Sequence, residues 1–237
     1  MSCEFDDLDA ASWVTAYVKQ RGDGSAVLRR PPPADSTTPE PTARPGADSP
    51  QLDVDSSTTA RALVIESFTA DLIVTSSRTA ADRTLALAVA ASARCPVVAV
   101  PSGATWRDDL PTSVGTTGDH LSKATLRSAF ALARVLGTGV RAICCTHEPP
   151  IARGQSTSTA RAAAAAVAEC ARRYPDVPVD TRVARSHPVT GLIRHARLAA
   201  LLVIGCTPTT DESTSRRLLD RCPTPIALVG PHVTRTR

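Results

Sequence analysis

The spacing of apolar and polar positions changes along the chain and divides it into three regions. Near the start, Trp13, Ala16, Tyr17 and Gln20 recur at about one helical turn, which predicts a helix over residues 8–20. A short apolar piece, Ser25 to Leu28, follows. Residues 31–50, PPPADSTTPEPTARPGADSP, then hold seven of the nineteen prolines and almost nothing apolar. Such a segment cannot bury enough surface to offset the ordering of its backbone, and it reads as an exposed loop or disordered linker. From residue 51 the pattern becomes regular. DLIV (71–74) and CPVVAV (95–100) are short, β-branched runs without polar alternation, as in strands buried on both faces of a parallel sheet. Segments 58–68 and 83–93 read as helices.

The same order continues to the end of the chain. Strands are predicted at 113–116, 140–146, 177–183, 201–206 and 225–230. Helices are predicted at 121–136, 157–173, 187–196 and 213–220. Leu126, Phe130, Ala133 and Leu136 form the inward stripe of the first of these helices. Regular alternation of strand and helix argues a doubly wound α/β fold built on a parallel sheet.

An internal repeat refines that picture. ADLIVTSSRTAADRT from Ala70 lies on AALLVIGCTPTTDES from Ala199, a shift of 129 residues. Asp82 then meets Asp211, Pro96 meets Pro225, and VVAV (97–100) coincides with IALV (226–229). The second copy is complete. The first is expected to lack a counterpart of the strand at 113–116, and the proline tract stands where the Ala-rich helix 157–173 would be. The expected organisation is a truncated repeat over 1–103, a linker at 104–110, a complete domain over 111–231 and a tail at 232–237.

Composition narrows the function classes. Charge is nearly balanced, 27 basic against 23 acidic residues, and Lys occurs only at Lys19 and Lys123. Arg is scattered, and the two Trp, two Tyr and three Phe cannot interleave with it, so no nucleic-acid partner is expected. Apolar runs reach about ten residues, too short to span a bilayer. The acidic start MSCEFDDLDA lacks the pattern of a signal peptide. Seven cysteines in no disulfide framework point to a reducing, cytoplasmic setting. Cys144 and Cys145 end a strand beside His147, but adjacent strand residues point to opposite faces and cannot share one zinc ion. No metal site and no catalytic triad is expected.

The segments VGTTGDHLSKATLRSAFALARVLG, YPDVPVDTRVARSHPVTGLIRHA and LLVIGCTPTTDESTSRRLLDRCPTPIALV occur in order over about 111–231. Together they resemble a universal stress protein domain, and residues 51–103 resemble a second C-terminal half. The resemblance implies an adenine-nucleotide alpha-hydrolase-like α/β sheet, a stress-linked role in the cytoplasm, and pairing through the last strands. That pairing would be self-association, or an intramolecular pseudo-dimer of VVAV with IALV. In the nucleotide-binding branch of that family a phosphate loop runs Gly, two residues, Gly, nine residues, Gly, then Ser or Thr. Here Gly205 keeps the first position, Pro208 replaces the second, and Glu212 and Ser213 stand at the Gly-Ser pair in a loop six residues shorter. Ser76, Thr79, Arg83 and Thr84 hold these positions in the first copy.

Two functions follow from the resemblance. The first is a non-catalytic regulatory or interaction module with a degenerate nucleotide site, no cofactor and an unidentified protein partner. The alternative is an ATP-binding protein with weak or no ATPase activity. Its contacts would be Thr117, Gly118 and Asp119 on the first turn, Cys145 and Thr146 beside the base, and Gly205, Thr207 and Ser213 near phosphate. Asp119, Thr207 and Ser213 also have a purely local use, as helix caps and turn residues.

Overall fold

The computed structural model describes residues 10, 12–15, 17, 27–28, 56–105, 107–116, 120–146, 153–207 and 213–233. Among the described residues eight strands form one sheet: β1 (Val27–Leu28), β2 (Ile73–Ser76), β3 (Val97–Val100), β4 (Thr112–Gly115), β5 (Val140–Cys145), β6 (Val179–Ala184), β7 (Leu201–Gly205) and β8 (Ile226–Val229). Six helices are bounded: α1 (Ser56–Glu66), α2 (Ala80–Ser92), α3 (His120–Leu136), α4 (Arg153–Arg173), α5 (Pro188–Ala196) and α6 (Thr214–Arg221). Residues 10, 12–15 and 17 are helical as well. The strand order is β1-β2-β3-β8-β7-β4-β5-β6, and every neighbouring pair is parallel except β3 with β8. The doubly wound α/β sheet expected from the sequence is therefore present. Among the described residues no helix is long and apolar enough to cross a membrane.

Burial on both faces explains the apolar strands. Val74, Val98, Val114, Ala142, Val203 and Ala227 point to one core, against Leu126, Phe130, Ala133 and Leu136 of α3 and Val167 of α4. Ile73, Val97, Ile143, Leu202 and Ile226 point to the other, against Leu63 of α1, Val89 of α2, Leu192 of α5 and Leu218 of α6. Neither face can tolerate alternation, because helices cover both.

The first copy differs from expectation at its front. Val27 and Leu28 pair in parallel with Ile73 and Val74, as Ser113 and Val114 pair with Leu202 and Val203 in the second copy. A first strand therefore does exist, two residues long. Its apolar pair satisfies one rung on β2, but a run so short gives no periodic signal. Between β1 and α1 the chain has residues 29–55, where the second copy has residues 116–187 with α3, β5, α4 and β6. Ala10, Trp13 and Tyr17 join the core that holds Val74 and Val98, with the Trp13 and Tyr17 rings stacked at 5.6 Å.

The two copies meet through β3 and β8, paired antiparallel with Val97 opposite Leu228 and Ala99 opposite Ile226. Above them α2 and α6 are joined by Arg83 Nε to Asp220 at 2.7 Å and by Arg216, which donates to Thr84 Oγ1 at 3.0 Å. Both arginines are only partly exposed, so these bonds are less screened than ordinary surface pairs.

At the far end of α5, His195 occupies the last turn, where a helix dipole would favour its charged form. Burial opposes that, and Arg141, Arg194 and Arg182 add repulsion that Asp180 only partly offsets, so the imidazole is held below its ordinary 6.5. The unfolded chain consequently takes up this proton first. The stability His195 contributes is complete above pH 6.5 and is lost as pH falls from there through the lowered folded value. Denaturant unfolding between pH 7.5 and pH 5 is expected to show this loss, and His195→Gln should flatten that part of the profile. An unchanged slope in the variant would refute the assignment.

Candidate functional site

The sheet's order reverses at β4. From β4 the chain goes to β5 on one side, and after β6 it crosses to β7 on the other. Loops leaving β4 and β7 therefore diverge, and open α/β sheets place ligands in such a gap at the strands' C-terminal ends. A cleft of about 220 Å³ lies there. Its floor is Gly115, Ile143, Cys145, Ile204 and Gly205, at the ends of β4, β5 and β7. Ser122 and Thr125 of α3 form one wall, Pro188 and Leu192 of α5 a second, and Thr214 and Ser215 of α6 a third.

Small residues create the opening. A Cβ on Gly115 would sit 3.1 Å from Leu192 Cδ2, and one on Gly191 would sit 2.8 Å from Cys145 Sγ and 2.6 Å from Ser186 Oγ. Side chains there would drive Leu192 and Cys145 into the space. Proline at the start of α5 costs no helical hydrogen bond. Ser213 caps α6, its hydroxyl accepting the Arg216 N–H at 3.2 Å, and this holds the helix's positive end toward the cleft.

Thr116, directly after β4, is the lining's unusual member. Its backbone N–H donates to the Ile143 carbonyl at 3.0 Å, which fixes the residue to the sheet. The residue is 4% exposed, and its hydroxyl has no hydrogen-bond partner among the described residues. Leaving a hydroxyl buried and unpaired costs roughly 1–3 kcal/mol. The oxygen itself is closed off from the open space, so a ligand group would reach it only by shifting part of the cleft wall.

The described lining contains no carboxylate, amine, guanidinium or imidazole. Cys145 is its one titratable side chain. Burial, with a smaller contribution from Cys144, pushes this thiol up to about 11, so it stays protonated at neutral pH. Its Sγ faces the Pro188 carbonyl at 3.9 Å. Apolar surface, hydroxyls and one helix terminus suit an uncharged ring with a single anionic substituent.

No protein-family model and no curated protein matches the sequence. Solved structures do match. A universal stress protein from Archaeoglobus fulgidus DSM 4304 aligns over 72% of this chain with a TM-score of 0.54 at 15% identity. The fold is that of the universal stress proteins. The aligned part spans 64% of that protein's length. A putative universal stress protein from Pseudomonas aeruginosa UCBPP-PA14 aligns over 73% of this chain and 66% of its own, at 18% identity and TM-score 0.47. A universal stress protein solved in complex with cAMP aligns over 54% of this chain and 99% of its own, at 17% identity and TM-score 0.46.

On this universal stress fold the residues singled out from the sequence fall into three groups. Gly205 and Cys145 line the cleft. Ser213 caps α6, while Thr146 donates its N–H to the Ala184 carbonyl at 2.9 Å and lies outside the lining, as does the exposed Thr207. Thr117, Gly118, Asp119, His147, Pro208 and Glu212 lie outside the described residues. Sequence reasoning passed over Thr116, Ser122, Thr125, Thr214 and Ser215. A usable signal existed for Thr116, because the residue after a strand at the switch point faces the gap. Ser122 and Thr125, three apart, share a helix face, but only the fold shows where that face points.

In the first copy the β2–α2 turn is bonded by its own side chains. Ser76 Oγ accepts the Arg78 N–H at 3.3 Å, and Thr79 forms a capping box with Asp82. Arg83 donates to the Ser77 and Arg78 carbonyls at 3.1 Å each. These bonds occupy the β2–α2 turn, so Ser76, Thr79 and Arg83 already serve the fold there.

Proposed function

We propose that this protein is a non-catalytic regulatory module whose switch-point cleft takes a purine nucleoside or nucleoside monophosphate, base inward, without a cradle for a triphosphate. The carrying observation is the cleft at the switch point, whose described lining mixes apolar side chains with hydroxyls and carries no charged group, with the buried Thr116 hydroxyl behind its wall. At about 220 Å³ the space falls below the roughly 300–1,000 Å³ of drug-sized ligand sites, which suits one ring system rather than a whole triphosphate. Ile143, Pro188 and Leu192 supply apolar walls for the ring, and the N-terminal turn of α6 offers a favourable end for one phosphate. Pro208 in place of a glycine removes an N–H from the β7–α6 loop, and this argues against binding of further phosphates.

The described lining supports the non-catalytic half of this reading. General acid–base work needs a group that titrates near the working pH, and the thiol at about 11 does not. Regulation by such a module passes through a protein partner, in a reducing cytoplasm where the described cysteines remain thiols. Phosphate release from magnesium-ATP tests the catalytic half of the proposal. Release at the buffer rate is expected. Turnover that scales with protein and disappears in Thr116→Val would overturn it.

A further inference from the structure

β6 ends the sheet, and no described strand pairs with its outer edge. Its inner edge is fully used. Val140 N–H donates to the Pro178 carbonyl and Thr146 N–H to the Ala184 carbonyl. In a parallel ladder those two bonds fix the alternation: even-numbered residues of β6 bond to β5, and Val179, Thr181 and Val183 turn their N–H and C=O groups outward. Val179 and Val183 are 39% and 55% exposed, the two strand residues among the exposed large apolar side chains.

The sequence of this edge is complementary to itself. Run antiparallel to a second copy about Thr181, Val179 meets Val183, Asp180 meets Arg182, and Thr181 meets itself. Parity also agrees: the odd residues with outward N–H and C=O groups become the hydrogen-bonded pairs. The Asp–Arg pairs fall at the non-hydrogen-bonded positions, where side chains approach most closely. Within one chain Arg182 Nε already lies 2.9 Å from Asp180 and Arg141 Nε 3.7 Å from it, so the carboxylate sits amid cations that a second strand would extend. Charges on an edge usually prevent pairing, since most registers oppose like charges. Here one register opposes unlike charges throughout.

We infer that β6 is a homodimerisation edge: two copies join antiparallel about Thr181 and continue the sheet from one molecule into the next. This surface is separate from the β3–β8 pair, which is used inside the chain, and separate from the cleft. A six-residue ladder is smaller than a standard interface, so association is weak and depends on protein concentration and salt.

Sedimentation equilibrium on the full chain tests it through a charge swap. Wild-type protein is expected to dimerise reversibly. Asp180→Arg places Arg against Arg, Arg182→Asp places Asp against Asp, and each change should weaken dimerisation by about tenfold or more. An equimolar mixture of the two variants restores both opposite-charge pairs and should dimerise about as well as wild type. Circular dichroism and melting of each variant check that the fold is retained. A wild type that stays monomeric at every concentration overturns the inference, whether or not the edge takes a strand from another protein. Dimerisation unaffected by both reversals, or variants that fail to pair on mixing, overturns it equally. None of these outcomes bears on nucleotide binding.

Discussion

Gly230→Ala is expected to destabilise the protein by about 3 kcal/mol, near the top of the usual range for overpacking. A Cβ at this position, just after β8, would land on the carbonyl oxygen of Ala90 in α2. Both partners are backbone, so no side chain can rotate away and strand and helix must separate. That contact also joins the C-terminal copy to the N-terminal one, so the displacement spreads into the β3–β8 pair and the Arg83–Asp220 bridge above it. At roughly 2–4 °C per kcal/mol for a chain of this size, the melting temperature should fall by about 6–12 °C. Gly103→Ala is the matched control. It meets nothing within 4 Å but has a φ of +72°, so only backbone strain of about 1 kcal/mol applies. Equal losses in the two variants would refute the close approach at Gly230.

Thr116→Val is expected to separate binding from stability. Valine matches threonine in shape and removes a hydroxyl that is buried without a partner, so the ligand-free protein should melt at the same temperature or slightly higher. Where a bound nucleoside or monophosphate shifts the wall and bonds this oxygen, the same change deletes one buried hydrogen bond, worth roughly 1–3 kcal/mol, or about five- to 150-fold in affinity. A clear drop in melting temperature without ligand would mean that Thr116 serves the fold, and the cleft would lose its principal support.

Much of the fold was legible because parallel strands covered on both faces have a strong signature. LLVIG and IALV are apolar without interruption, and the 129-residue shift tied them to DLIV and VVAV. β1 was not legible, since two residues beside a proline-rich tract show no period. What identifies it is the rung it completes on Ile73 and Val74. His195 was legible by position but not by charge state, because Arg141 and Arg182 reach it from other strands. In the cleft, Gly205 and Cys145 were readable from a loop pattern and a strand end. Thr116, Ser122 and Thr125 belong to no motif, and they converge only when β4 and α3 are placed against β7.

The central claim is that the cleft between β4 and β7 binds a small purine ligand and does not cradle a triphosphate. Titration calorimetry of the full chain with adenosine, AMP and magnesium-ATP tests it most directly, with Thr116→Val as the paired sample. Saturable binding of adenosine or AMP, weakened in the variant and no tighter for ATP, is the expected result. No heat from any of the three at millimolar concentration, or ATP bound far more tightly than AMP, would contradict it.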